Sequence, residues 1–207
     1  MPDSIDSATA NRKSVQLGIV AGFITCLSYP LMVFGHLPKL PTTILAACFG
    51  PSLAVACFGL KRLLDWERPK VASSLGLLLN ALAGALFCAM ALVQGAVGFS
   101  LHGEKLSSQV EAIWLGLDVA WDAYIGLGTI CFALAMLRHP RFGRWFSASG
   151  LAIALGLLAL NFYAFPRPPA NAGLADLGPA VGIWYLAVTI QMWRSLHWAR
   201  TTPTSAA

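Results

Sequence analysis

The chain has 207 residues, 57% apolar and only 11% charged, with a net charge of +5. Ordinary soluble domains carry about 25% charged residues, so a water-soluble globular fold is excluded. A mean hydropathy of +0.67 excludes a disordered chain, and no period of about 20 to 50 residues marks a solenoid. The composition predicts an all-α polytopic membrane protein, a bundle of transmembrane helices in one compact domain spanning residues 15 to 198.

A helix needs roughly 20 apolar residues to cross about 30 Å of hydrocarbon. Six stretches qualify: 15 to 35, 42 to 60, 72 to 98, 110 to 137, 146 to 165 and 177 to 193. Five of these carry no charge. Helices are required because backbone groups in lipid must bond internally, and the stretches lack the alternation of barrel strands.

Residues 1 to 14, with Asp3 and Asp6 among small polar residues, are expected to form a flexible tail. Span 1 follows Arg12 and Lys13, but its 21 residues exceed a signal-peptide core and no cleavage site follows, so it should stay attached. Small residues four apart mark packing faces: Gly18 and Gly22 in span 1, Ala46, Gly50 and Ala54 in span 2, Gly150 and Ala154 in span 5. Span 3 extends the pattern into a ridge of Ala72, Gly76, Asn80, Gly84 and Cys88, with Asn80 expected to hydrogen-bond across it. The stretch Leu63 to Pro69 mixes both signs and reads as a solvated connection, a headgroup-lying segment being the alternative. Trp66, Trp145, Trp193 and Trp198 near span ends suit an interfacial belt. The Pro-rich loop from Phe165 to Pro179 is expected to be stiff. It could cap an outward cavity, with Arg167 near Glu111 or Asp176, or serve as a rigid connection whose Asp176 caps span 6. Residues 199 to 207 form a second tail.

Eleven basic residues flank the spans on one side, while Lys39, Lys105 and Arg167 lie on the other. By the positive-inside rule both termini are cytoplasmic. Topology thus accounts for the net charge, and no nucleic-acid partner is implied; the partner expected is the lipid bilayer. All five cysteines, Cys26, Cys48, Cys57, Cys88 and Cys131, fall within spans, which disfavours a membrane thiol oxidase. The four histidines sit at span ends or in loops, leaving a transmembrane haem without ligands. No HExxH, G-x-S-x-G or Walker sequence is present, so no catalytic residue, metal or cofactor is assigned.

One constellation carries chemistry. In span 4, at about 100° per residue, Glu111, Asp118, Asp122 and Thr129 share one face. Asp118 lies about 10 Å and Asp122 about 16 Å inward of Glu111 along the helix, which puts Asp122 near the bilayer midplane. An aspartate at that depth costs about 2.5 to 3.5 kcal/mol on insertion scales. None of the 14 Lys and Arg residues lies within a span to neutralise the pair. Protonation, a bound exogenous cation or a water-filled cavity remain, and because two carboxyls one turn apart resist double ionisation, the pair is a candidate proton-exchange device. Tyr29, His36, Gln94, Trp121, Thr129, Asn161 and Asp176 are candidates to line the same cavity. The alternative is that both aspartates are protonated structural hydrogen-bonders to neighbouring helices.

The C-terminal half also resembles a family of uncharacterised six-helix integral membrane proteins of bacteria, grouped as a domain of unknown function. The likeness lies in Leu117-Asp118-Val119-Ala120-Trp121-Asp122 with Gly126-Leu127-Gly128-Thr129, in Arg138-His139-Pro140-Arg141-Phe142-Gly143-Arg144, in Gly173-Leu174-Ala175-Asp176-Leu177-Gly178-Pro179, and in Gly182-Ile183-Trp184-Tyr185-Leu186. It implies six helices in a bacterial inner membrane and assigns no activity. The leading expectation is binding or transport of a proton or small cationic or protonatable solute at Asp122, tuned by Asp118, in a chain that could pair as a homodimer. A non-catalytic sensor or assembly module is the alternative. A metal-dependent hydrolase using Asp118, Asp122 and His36 or His102 is weaker, because no two-histidine spacing supports it.

Overall fold

The computed structural model describes residues 2–66, 68, 70–100 and 107–196. Among them the chain is all-helical, without a strand: α1 (Pro2–Phe34), α2 (Lys39–Leu64), α3 (Val71–Ser100), α4 (Ser108–Met136), α5 (Gly143–Ala164) and α6 (Gly178–Ser195). A short 3-10 turn, Pro169–Ala172, interrupts the loop before α6. Helix α1 starts well before the apolar run, so the segment read as a tail is helical, with Pro2 at the first helical position, where its missing N–H costs nothing. His102 and Lys105, Glu67 and Pro69, and the tail beyond Leu196, including Trp198, lie outside the described residues.

Helices α1 to α5 are long and apolar enough to cross a membrane. Helix α6 falls short of that standard. Its 18 residues span about 27 Å, and Gln191 and Arg194 dilute its hydropathy. The bundle turns large apolar side chains outward, among them Leu17, Ile24 and Leu31 on α1 and Leu75, Leu78 and Leu82 on α3. In water such faces would drive aggregation; in a bilayer they meet acyl chains. Trp145 and Trp193, both largely exposed, sit near the same end of the bundle, as belt residues do.

Each helix packs on its chain neighbours, and α6 closes back onto α1 and α5. Lipid offers no hydrophobic drive between helices, so close approach of backbones must hold them together. Glycines supply it. A Cβ on Gly18 would stand 2.6 Å from Gly59 Cα, and one on Gly50 would stand 2.5 Å from the Gly84 carbonyl oxygen. The α3 ridge is a packing seam: Gly76 lies under Phe132, Gly84 on Gly50, and Cys88 Sγ lies 3.1 Å from the Ala46 carbonyl oxygen and 3.2 Å from the Gly50 amide nitrogen. The five cysteines are free thiols. Beside the seam, Phe49, Phe87 and Trp121 stack into an aromatic cluster with centroids 4.0 to 5.7 Å apart.

The α2–α3 turn, the α4–α5 turn and the C-terminal end of α6 meet at one end, which is basic. Lys70 Nζ donates to the Ala135 carbonyl at 3.0 Å, complementing the C-terminal end of α4. Arg141 reaches Ser195 Oγ and the Arg194 carbonyl, both at 3.4 Å. His139 joins the two turns. The Arg141 backbone N–H donates to its Nδ1 at 3.3 Å, so Nε2 carries the proton and donates to the Leu63 carbonyl at 3.2 Å.

Burial, together with the nearby Lys70 charge, pushes His139 from its ordinary value near 6.5 down to about 4. In that interval the unfolded chain binds a proton that the folded chain does not, so stability rises with pH. The contribution is fully present above pH 6.5 and is lost as pH falls towards 4. We expect the melting temperature of detergent-solubilised protein to fall across this window, by the equivalent of about 2–3 kcal/mol, with the fall flattened in His139→Gln. Parallel pH profiles of wild type and variant would disprove the assignment.

Candidate functional site

Asp122 sits halfway along α4, the most enclosed of the five long helices. It is buried, and its neighbour is Asn161, fully buried on α5. Asn161 Nδ2 donates to Asp122 Oδ2 at 2.9 Å and to the Leu157 carbonyl at 3.0 Å, one turn back on its own helix. Both amide protons are thereby committed. Asn161 Oδ1 is buried and has no hydrogen-bond partner. A buried acceptor without a donor costs about 1–3 kcal/mol, so a donor or a cation brought to Asn161 Oδ1 would be stabilising. The carboxylate beside it makes that position acidic.

Asp118, half-buried one turn towards the helix start, and Asp176, before α6, lie within electrostatic reach of Asp122 and of the Tyr29 hydroxyl on α1. Four segments thus converge: α1 through Tyr29, α4 through Asp118 and Asp122, α5 through Asn161, and the loop before α6 through Asp176. Asp176 is exposed and also accepts from the Gly178 backbone N–H at 2.8 Å, so it holds the start of α6. It does so from one residue ahead of Leu177, the N-cap position, which makes no side-chain cap bond of its own.

The other candidates lie elsewhere. Glu111 is exposed in the first turn of α4, where a carboxylate complements the helix dipole. His36 is exposed on the α1–α2 turn with φ at 44°. Gln94 is half-buried on α3, and Trp121 packs its edge on Phe49 and Phe87. Among the described residues the one ion pair is Lys61 with Asp65, so Arg167 is paired with neither Glu111 nor Asp176. Also among the described residues, no three His, Cys, Asp or Glu side chains gather as metal ligands.

Thr129 belongs to a second polar network. Its Oγ1 lies 2.7 Å from the Ile125 carbonyl oxygen and 3.2 Å from the Tyr185 hydroxyl. Tyr185 donates to Asn80 Oδ1 at 2.6 Å, while Asn80 Nδ2 donates to the Gly76 carbonyl at 2.7 Å. Asn80 therefore does bond across the seam, from α3 to α6. Tyr185 was not among the candidates read from the sequence, although a phenol amid the apolar residues of α6 must find a partner when buried. Comparison of the chain with protein-family models, with curated proteins and with solved structures found no match in any of the three.

Proposed function

We propose that this chain is a six-span protein of the bacterial inner membrane, both termini cytoplasmic, that binds or moves a proton or a small cationic or protonatable solute at Asp122. Helix α6 then serves as the sixth, shorter span, and residues 15 to 198 form the transmembrane domain. The basic end, with the turns after α2 and α4 and the end of α6, supports that orientation.

The observation that carries the reading is the Asp122–Asn161 pair with its unpartnered Oδ1. A carboxylate oxygen and an amide oxygen side by side offer two hard acceptors to a cation or an ammonium donor. Among the described residues no lysine or arginine is paired with Asp122. Asp118 and Asp176 add negative potential around the pair, and Tyr29 supplies a hydroxyl from α1.

The test is infrared spectroscopy of the full chain in detergent, recording carboxylate bands as sodium or methylammonium is added and as pH is varied. Wild type should show a band that responds to cation or proton concentration. Asp122→Asn should abolish the response while keeping the fold, because an amide oxygen can accept from Asn161 as the carboxylate does. A response unchanged in Asp122→Asn, or no response in wild type, would end the proposal.

A further inference from the structure

Helix α2 carries Pro51 halfway along its length. A proline has no backbone N–H, so the Ala47 carbonyl, four residues earlier, loses its partner in the helical ladder. Pro41, in the first turn of the same helix, has no such effect, because the amides there lack a ladder partner in any case. Ala47 and Pro51 are both exposed, and at mid-helix in a bilayer no water is at hand to replace the missing donor. Helices kink at breaks of this type, and membrane helices tolerate them where a neighbouring helix satisfies the freed groups.

Helix α3 supplies such a group. Cys88 Sγ lies 3.1 Å from the Ala46 carbonyl oxygen and 3.6 Å from that of Ala47, and the Gly50 backbone N–H donates to it at 3.2 Å. One thiol thus acts as donor and acceptor on the turn immediately before Pro51. Its reach depends on bare backbone: a Cβ on Gly50 would stand 2.8 Å from Cys88 Sγ and 2.5 Å from the Gly84 carbonyl oxygen. Phe49, beside the break, packs its ring on Phe87 and Trp121, so the shape of α2 here also sets one wall of the aromatic cluster against α4.

We propose that α2 is two segments hinged at Pro51, and that the Cys88 thiol is the latch that holds the hinge closed. The device does not draw on the reading of Asp122. The segment after the break is fixed, because Leu53, Cys57, Leu60, Leu63 and Leu64 are all buried in the core. The segment before it buries only Ala46, Phe49 and Gly50, so it is the part that swings. Sulfur is a weak donor and a weak acceptor, so the latch selects one arrangement of the two segments without fusing them. When it releases, the amides on either side of Pro51 lose protection first.

The experiment is amide hydrogen exchange, resolved along α2 in the full chain in detergent, for wild type, Cys88→Ala, Pro51→Ala and the double variant. Cys88→Ala should raise exchange within residues 44–54 by about fivefold or more, as expected for the loss of one or two neutral hydrogen bonds, while residues 57–64 keep the wild-type rate. Pro51→Ala gives the Ala47 carbonyl a backbone donor, so on that background Cys88→Ala should change exchange by less than about twofold. An equal rise on both backgrounds would mean that Cys88 only fills space, and would overturn the latch. Exchange unchanged in Cys88→Ala, or raised evenly along α2, would overturn it too. If Cys88→Ala does not fold, the closely similar Cys88→Ser gives an infrared difference spectrum that isolates the Cys88 S–H stretching band in wild type. A band at the lower frequency of a hydrogen-bonded thiol supports the latch, and one at the frequency of a free thiol rejects it.

Discussion

Asn161→Leu should destabilise the protein by about 2–3 kcal/mol, one of the largest effects of any single side-chain change in the bundle. Asn161 Nδ2 is the donor that Asp122 has in the fully enclosed space between α4 and α5. Removing it strands the carboxyl group in a dry setting, and the amide's bond to the Leu157 carbonyl is lost with it. The double variant Asp122→Leu, Asn161→Leu should recover most of that loss, because replacing both partners by apolar groups of similar volume removes the desolvation penalty along with the bond. Thermal melts of the four members of the cycle in one detergent measure the coupling. If the single and double variants melt together, Asp122 does not depend on Asn161. Binding in the double variant should be absent however stable it is, which separates the role of the pair in function from its role in folding.

Gly59→Leu should be still more damaging, disrupting the α1–α2 interface. A Cβ on Gly59 would stand 2.6 Å from Gly18 Cα, and that atom belongs to a backbone that cannot rotate away as a side-chain tip can. Even alanine must push the two helices apart. Overpacking of this kind costs about 1–3 kcal/mol, and leucine, with three further carbons, should reach or exceed the top of that range. The check is the yield and melting temperature of Gly59→Ala and Gly59→Leu beside Gly98→Ala, where a Cβ would meet nothing within 4 Å. Equal behaviour at the two positions would show that the α1–α2 crossing is looser than its geometry.

The helices themselves were legible because hydropathy reports burial in lipid directly. The expected span at 72 to 98 lies inside Val71–Ser100, and that at 110 to 137 nearly coincides with Ser108–Met136. Helix α2 runs past its expected limit at residue 60 to Leu64 because Lys61 and Arg62 can sit at a helix end that leaves the apolar layer, where hydropathy no longer counts them. The glycine ridge was readable because small residues four apart must lie on one face. The pairing of Asp122 with Asn161 was not, since it depends on how α4 and α5 are rotated about their own axes, and the close packing of Gly126 beside Leu158 sets that rotation. The role of His139 was not readable for a different reason: a loop histidine leaves no periodic signal, and its role emerges only when Leu63, 76 residues away, is brought to it.

Asp122 and Thr129 are seven residues apart on one face of α4, or about 10 Å. Ile125, Gly126 and Gly128, all buried, fill that interval. A hydrogen-bonded chain advances in steps of about 3 Å, so among the described residues no direct side-chain hydrogen bond joins the two polar networks. Under the proposed function, charge bound at Asp122 would sit part-way into the low-dielectric layer and would sense part of the transmembrane voltage.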